Sequence, residues 1–568
     1  MERPQKRRWL RHAAALAPVL ALAAYAALCT NPHYDLNDDV ILLRAFGGMV
    51  GGSMDSFHYI VHIFLSRLLD GLTALWPAVA WFTVYQLMLL ALSACGVMYG
   101  AMGCARRLGA PVLGGWLVGC AYLAALVAEP STSVTYTITT AVAGGASIWL
   151  LLAVDWNAPR RARLGGVARA AIPLYLAYLL RPLGVLPVLC LWLGAALCII
   201  LVSRISWRRV LPPLMAVALL LAASAGARRL AETSPENADY VQWQLARTQA
   251  VDYGGLVSAT EETLEKAGWS KALYELALEG CFMDESVSTE ALNALGREPL
   301  SSPGECIVVL QTLFRRSRGV YWTCVMLAGL CLTAFLCSAA QRENRLWSCL
   351  APLGCLLAAA AMLFALAMRG RLPARAAQTV LLPAAALAAW LALRAADGLL
   401  EERGWFYRGH GAIRGLLAAF VCVALALPCA RTAWHNTYNP RAARTEAACT
   451  RLERYALANG ELLFITDGSF AMDRALFPDW SAGKPANLLL SWGGWNYHSE
   501  GYRAALGRFG YKHRFRLENL LDEPLRLVMA EGNQPSQALL NCLAERVGRA
   551  VTAEMCDSQP GFSVYRFQ

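Results

Sequence analysis

The residues best suited to chemistry fall in three places. The segment Asn31–Val40 carries Asp35, Asp38 and Asp39 directly after a long apolar run, and Asp55, His58 and His62 follow. Carboxylates at a membrane surface serve as general bases, or hold a divalent cation that bridges a diphosphate. Adjacent residues on a regular helix point in different directions, so one of Asp38 and Asp39 acts while the other orients or caps. The competing reading makes Asn37 or Asp38 the N-cap of a helix over Val40–Phe46. The second place is the cluster Arg369, Arg371 and Arg375. A fork of guanidinium groups at the end of an apolar helix suits a phosphate or diphosphate. The same groups also cap helices and meet lipid headgroups. The third is Arg181, at an Arg-Pro break inside an apolar stretch. An ionisable group there is costly, so it pairs, serves function or snorkels to the interface. Glu129, at the end of another apolar run, is a partner for it by charge, and the hydroxyl-rich run Thr135–Thr140 follows.

These groups need elements to position them, and the composition names the kind. Of 568 residues, 57% are hydrophobic and 16% are charged, against about 25% charged in a soluble domain. Many apolar runs approach or exceed the roughly 18 residues that cross a hydrocarbon core. The net charge of +11 does not point to nucleic acid, because the basic residues cluster in short loops between apolar runs. The basic start before Ala13–Cys29 resembles a signal peptide, but the run is long and others follow, so it reads as a first transmembrane helix.

The runs then alternate with loops of matching charge. Trp81–Met102 leads in, Leu108–Val127 out and Ile138–Val154 back to a basic loop at Arg160–Arg169. Ala170–Ser203, broken at Arg181-Pro182, goes out and returns, one arm being a half-helix or re-entrant segment. Val210–Ala225 goes out, Val320–Ala340 in, Leu346–Met368 out, Thr379–Leu393 in and Leu416–Leu427 out. The expectation is a mainly α protein: a polytopic transmembrane bundle of about eleven crossings, N-terminus cytoplasmic, with a soluble C-terminal α/β domain outside. Residues 1–430 form the membrane module, with outer loops 31–78 and 228–318, and residues 431–568 the extracytoplasmic domain. The Arg369–Arg375 cluster falls on the outer side, against the charge rule, and so invites a functional reading.

The tail trades long apolar runs for short β-like ones, Leu462–Thr466, Ala486–Ser491, Leu525–Met529 and Phe562–Phe567, with a helical pattern at Pro535–Val547. The loop 228–318 carries amphipathic patterns at Glu261–Ala267 and Leu273–Glu279 and aromatics including Tyr240, Trp243 and Trp269. It reads as a lid or acceptor platform, or as a packing layer. Trp480, Trp492, Trp495 and Tyr497 stack on sugars or fill a core, with core favoured. Most of the eighteen cysteines lie in apolar runs and act as small apolar residues. Cys281–Cys306 or Cys542–Cys556 would bridge in an oxidising compartment, unless they are buried thiols. No nucleotide-binding, zinc-protease or zinc-finger spacing occurs.

An apolar first helix followed by an outer acidic loop resembles the GT-C superfamily of membrane glycosyltransferases. The chain is also similar to a group of bacterial membrane proteins of the same plan, through Asn37–Val40, Phe82–Leu87, Tyr178–Gly184, Ala267–Ser270, Phe282–Glu285 and Arg371–Arg375. The resemblance implies transfer of a sugar from a polyprenyl-phosphate carrier to a glycan or lipid acceptor at the outer face of a plasma membrane. It matches Asp38-Asp39, with Asp35 less closely, to the family's acidic motif. Asp38 or Asp39 would then deprotonate or position the acceptor hydroxyl. Arg371, Arg375, Arg369 and Arg181 would hold the departing phosphate, with Glu129 and His58 as further candidates. A carboxylate buried among apolar groups would have its pKa raised. The acidic and basic groups would face each other over one outward pocket. A divalent cation, Mg or Mn, is compatible and not required. Two other readings stand: a transporter or flippase of lipid-linked saccharides, for which the paired broken helices of an inverted repeat are missing, and a non-catalytic envelope assembly protein.

Overall fold

The computed structural model describes residues 2–50, 56–109, 111–296, 300, 302–339, 344–402, 411–437, 446–467, 474–480, 483–511 and 515–568. In chain order its helices are α1 Glu2–Cys29, α2 Asn37–Phe46, α3 Ile63–Leu75, α4 Trp81–Arg107, α5 Val112–Tyr122 with a π-turn at Leu123–Val127, α6 Tyr136–Leu152, α7 Arg160–Leu180, α8 Leu186–Leu201 and α9 Trp207–Glu232. There follow α10 Ala238–Arg247, α11 Glu261–Ala267, α12 Lys271–Leu278, α13 Thr289–Ala294, α14 Pro303–Arg316, α15 Arg318–Ala339, α16 Arg345–Ala367, α17 Ala374–Glu402, α18 Gly411–Thr437, α19 Glu446–Ala458, α20 Glu500–Arg508 and α21 Gln537–Val547.

The chain folds as two compact units, each made of non-contiguous segments. Met1–Pro32, Tyr85–Gly226 and Leu300–Asn439 form the first, and His33–Val84, Ala227–Pro299 and Pro440–Gln568 the second. The segments read as outer loops therefore fold with the tail over most of their length.

The first unit is the membrane bundle. Among the described residues seven helices are long and apolar enough to cross a membrane: Trp9–Cys29, Trp81–Arg107, Pro182–Leu201, Trp207–Glu232, Arg318–Ala339, Arg345–Ala367 and Ala374–Ala395. Val112–Val127 and Tyr136–Leu152 are shorter apolar helices. The two remaining expected legs are present as α7 and α18. Position in the bundle follows burial. The apolar window of α17 is 89% buried and that of α9 only 22%, so α17 is the central helix and α9 turns most of its surface to lipid. Small residues let α6 approach its neighbours closely: a Cβ on Gly144 would stand 2.6 Å from Val188.

Two expectations change here. The basic segment Arg160–Arg169 is not a loop but the first half of α7. Arginine is a good helix former, and the pair Gly165-Gly166 inside the run lowers its helix propensity without stopping the helix. The break at Arg181 is real: α7 ends there with ψ at 88° and a 3-10 turn, Pro182–Val185, leads into α8. Proline lacks the N–H a helix needs and biases the residue before it away from helical geometry. Both arms are full helices, of 21 and 16 residues.

The second unit is α/β. Its five-stranded sheet has the order Leu488–Leu489, Leu463–Thr466, Leu525–Ala530, Phe562–Phe567, Ala553–Gln559. The first three strands are parallel, in register at Ile465↔Leu489 and Ile465↔Leu527. The last two are antiparallel, with Val528 opposite Val564. One hydrophobic core joins the segment 227–299 to the tail: Trp243, Leu276 and Phe282 pack in the same cluster as Ile465, Leu527 and Leu539. Trp492 and Tyr497 belong to that core, whereas Trp480 and Trp495 are half-buried. Neither expected disulfide forms. Cys281, Cys306 and Cys542 are buried free thiols and Cys556 is exposed on the edge strand.

Candidate functional site

The groups that can bind an anion gather at one end of the membrane bundle. Arg181 ends α7, and its Nη1 donates to Thr137 Oγ1 at 2.6 Å. Its guanidinium carbon lies 4.7 Å from the Tyr136 ring centroid. Tyr136 and Thr137 open α6, and the N-cap Thr135 hydroxyl accepts from the Thr137 N–H at 3.2 Å.

Helix directions place the arginine turn at the same level. Gly144 of α6 adjoins Val188 of α8 and Pro383 of α17. Further along, Trp192 of α8 donates to Ser147 of α6 at 2.7 Å, so these two helices run the same way. Arg394 of α17 donates to the Val202 carbonyl, one residue past α8, at 2.9 Å, so α17 runs with them. Seven residues back from the Gly144 level, about 10 Å along each helix at 1.5 Å per residue, stand Thr137, Arg181 and Ala376, with Arg375 beside it. Three helical starts therefore converge at this end. Each brings a positive partial charge of about 0.5. Arg369 and Arg371 are exposed and Arg375 is half-buried. Gly370, with φ +81°, supplies the left-handed turn that carries the chain from α16 to α17.

Glu129, seven residues before α6, accepts from Asn436 Nδ2 of α18 at 2.9 Å. The expected Arg181–Glu129 pair does not form among the described residues; Thr137 takes the guanidinium instead.

The acidic motif lies in the second unit. Its helix starts three residues earlier than expected, so neither Asn37 nor Asp38 is the cap. Leu36 occupies that position with no side-chain cap bond, and Asp38 and Asp39 fall in the first turn, where carboxylates favour the helix dipole. Asp35 is exposed, Asp38 half-exposed and Asp39 wholly buried. The difference between the adjacent pair is thus the one that helical geometry requires. Asp39 acts electrostatically on Tyr34, whose phenol is held well above its ordinary pKa by burial first, then by the Asp39 charge, against the lowering effect of Thr83. Tyr34 and Thr83 hydroxyls lie 2.7 Å apart, and Thr83 donates to the Leu476 carbonyl at 2.6 Å.

Two devices fix α2 within this unit. Arg44 pairs with Glu453 of α19 at 2.5 Å, their side chains 4% and 8% exposed, and donates to Cys449 Sγ at 3.2 Å. Arg474 Nη1 donates to the Asp35 carbonyl at 2.9 Å, and the Tyr34 N–H donates to the Arg474 carbonyl at 2.8 Å. The sequence reading missed Arg44 and Glu453. The signal was a lone arginine inside the apolar run Val40–Phe46.

His58 is buried and its pKa is pushed down to about 3 by desolvation. Its Nδ1 accepts from the Ile60 N–H and its Nε2 lies 3.3 Å from Tyr240 Oη, which donates to the Trp495 carbonyl. A neutral ring so engaged holds the loop together. His62 caps α3, accepting from the Phe64 N–H at 3.1 Å. Asp55 lies outside the described residues. Among the described residues no three His, Cys, Asp or Glu side chains are grouped to hold a metal ion.

No family model and no curated protein matches the chain. Among solved structures it is similar to ArnT from Cupriavidus metallidurans bound to undecaprenyl phosphate, at 15% identity over 97% of each chain with a TM-score of 0.41. It is similar also to the apo state of that protein, at 14% identity over 99% of this chain and 98% of the other, with a TM-score of 0.42.

Proposed function

We propose that this membrane protein is a glycosyltransferase that moves a sugar from a polyprenyl-phosphate carrier to a glycan or lipid acceptor of the cell envelope, at the outer face of a plasma membrane. The observation that carries the reading is the convergence of three helix starts with Arg181, Arg371 and Arg375 at one end of an apolar bundle. A cationic, donor-rich site at the edge of lipid suits an anion on a lipid tail. The resemblance of the acidic loop to that of GT-C enzymes supplies the second half.

In the proposed step the acceptor hydroxyl oxygen attacks the anomeric carbon. The bond from that carbon to the carrier phosphate breaks, and the electron pair leaves with the phosphate. The hydroxyl proton passes to a carboxylate, and Asp39, the buried member of the pair, is the better base. The arginines meet the charge that develops on the leaving phosphate, which is where fixed positive groups act most strongly. Asp38 orients. A divalent cation is not needed for this balance, and Asp38, the half-exposed member of the pair, is the one that would meet it.

The test is the profile of surface glycans and lipid-linked sugars in strains carrying Asp38→Asn, Asp39→Asn or Arg371→Ala, each checked for normal membrane levels. The proposal expects product loss in Asp39→Asn and Arg371→Ala with accumulation of the charged carrier. Wild-type profiles in all three reject it. A transporter or flippase would leave transfer intact and change only the sidedness of the lipid-linked sugar.

A further inference from the structure

Arg181 is held in a manner that a simple snorkelling arginine would not need. One hydrogen of its fork is committed, Nη1 to Thr137 Oγ1 at 2.6 Å. The guanidinium carbon sits over the Tyr136 ring, 4.7 Å from its centroid. The stem is lodged against Gly184, where a Cβ would stand 3.0 Å from Arg181 Cδ and 3.4 Å from Thr140 Cγ2. Among the described residues Nε and Nη2 make no hydrogen bond. That edge is the one whose two parallel N–H groups match two oxygens of a phosphate. Restraining a long side chain in advance removes part of the ordering cost of binding.

We infer that Thr137, Tyr136 and Gly184 are positioning residues that lock Arg181 with its Nε–Nη2 edge presented to the phosphate of a lipid-linked substrate. The inference rests on the proposed phosphate role of this end of the bundle. Thr137 does the most, because it fixes the rotation of the fork about its long axis. Tyr136 fixes the plane, and its aromatic ring rather than its hydroxyl is what matters. Gly184 leaves the space that the stem occupies. The sequence places the three where they must be: two open α6, and the third lies in the turn that follows the break.

The experiment uses the full chain in detergent with undecaprenyl phosphate as the probe, its affinity read by native mass spectrometry and by the ligand-induced rise in Tm. Losing one charge-assisted hydrogen bond weakens binding by about tenfold or more. Thr137→Val and Tyr136→Leu are expected to lose about that much. Thr137→Ser and Tyr136→Phe are expected to restore near wild-type affinity, and the ligand-free Tm of all four should match the parent. Gly184→Ala, which displaces the arginine without touching its partners, should weaken binding too. If Arg181→Ala loses affinity while Thr137→Val and Tyr136→Leu do not, the positioning inference is wrong and the phosphate site stands. If Arg181→Ala, Arg371→Ala and Arg375→Ala all bind undecaprenyl phosphate as the parent does, the phosphate reading falls, and the inference with it.

Discussion

Replacing Glu453 with Gln removes the carboxylate that faces the buried Arg44 guanidinium. The two side chains are 4% and 8% exposed and 2.5 Å apart, so the pair belongs to the buried class, not to the surface pairs worth about 0–1 kcal/mol. Breaking such a pair from one side costs about 3–5 kcal/mol. Because Arg44 is on α2 and Glu453 on α19, that loss should appear as local opening of these two helices. Their amide hydrogens should exchange at least about a hundredfold faster, since each 1.4 kcal/mol is tenfold in an equilibrium. Hydrogen exchange read by mass spectrometry resolves this peptide by peptide, with the strand Leu525–Ala530 as internal control. Replacing both partners together, Arg44→Met with Glu453→Leu, should restore protection to within about tenfold of the parent, because apolar pairs of similar volume substitute well for buried ions. Exchange in Glu453→Gln within about threefold of the parent, a difference under 0.7 kcal/mol, would refute the reasoning. So would a double variant worse than the single.

Three further outcomes are expected. His58 stays neutral in the fold to about pH 3, whereas in the unfolded chain it takes a proton near 6.5. Between those values the unfolded state binds the extra proton, so stability is present above about pH 6.5 and is lost as pH falls. The loss is about 2 kcal/mol at pH 5, and His58→Gln should flatten the profile measured by chemical unfolding. Gly493 has φ +117° and its Cβ would stand 2.7 Å from the Phe282 backbone, so Gly493→Ala should cost at least about 2 kcal/mol. Gly507→Ala, with nothing within 4 Å on helix α20, should be neutral or stabilise slightly in the same unfolding assay. In labelling with a small thiol reagent Cys556 should react first. Cys281 and Cys542, whose thiols burial pushes up, Cys542 to about 11, should react only on unfolding.

Much of the fold was legible because a membrane simplifies the code. Apolar length names the spanning helices, and basic loops mark their ends, so α15 and α16 begin and end close to their expected limits, whereas α4 and α9 run on past theirs, to Arg107 and Glu232. The Arg160–Arg169 segment misled because charge was read as loop, whereas arginine continues a helix readily once it faces water. In the tail four of five strands showed as short apolar runs. The strand Ala553–Gln559 did not, because it is an exposed edge whose side chains need no apolar pattern. The site was legible in its residue types and less so in its geometry. The adjacency rule said that Asp38 and Asp39 must differ, but only the start of α2 at Asn37 decides that Asp39 is the buried one. That Thr137 rather than Glu129 holds Arg181 depends on parallel packing of α6 and α8, a contact between residues 44 positions apart. No local pattern encodes it.

The central claim is that the acidic loop and the arginine turn both work outside the cell membrane. A cysteine at position 38 or at 371, where Arg371 is exposed and Asp38 half-exposed, reports its side when intact cells meet a membrane-impermeant maleimide. The account predicts labelling of Asp38→Cys and of Arg371→Cys before permeabilisation, at comparable rates. Labelling of either one only after the membrane is opened would contradict it.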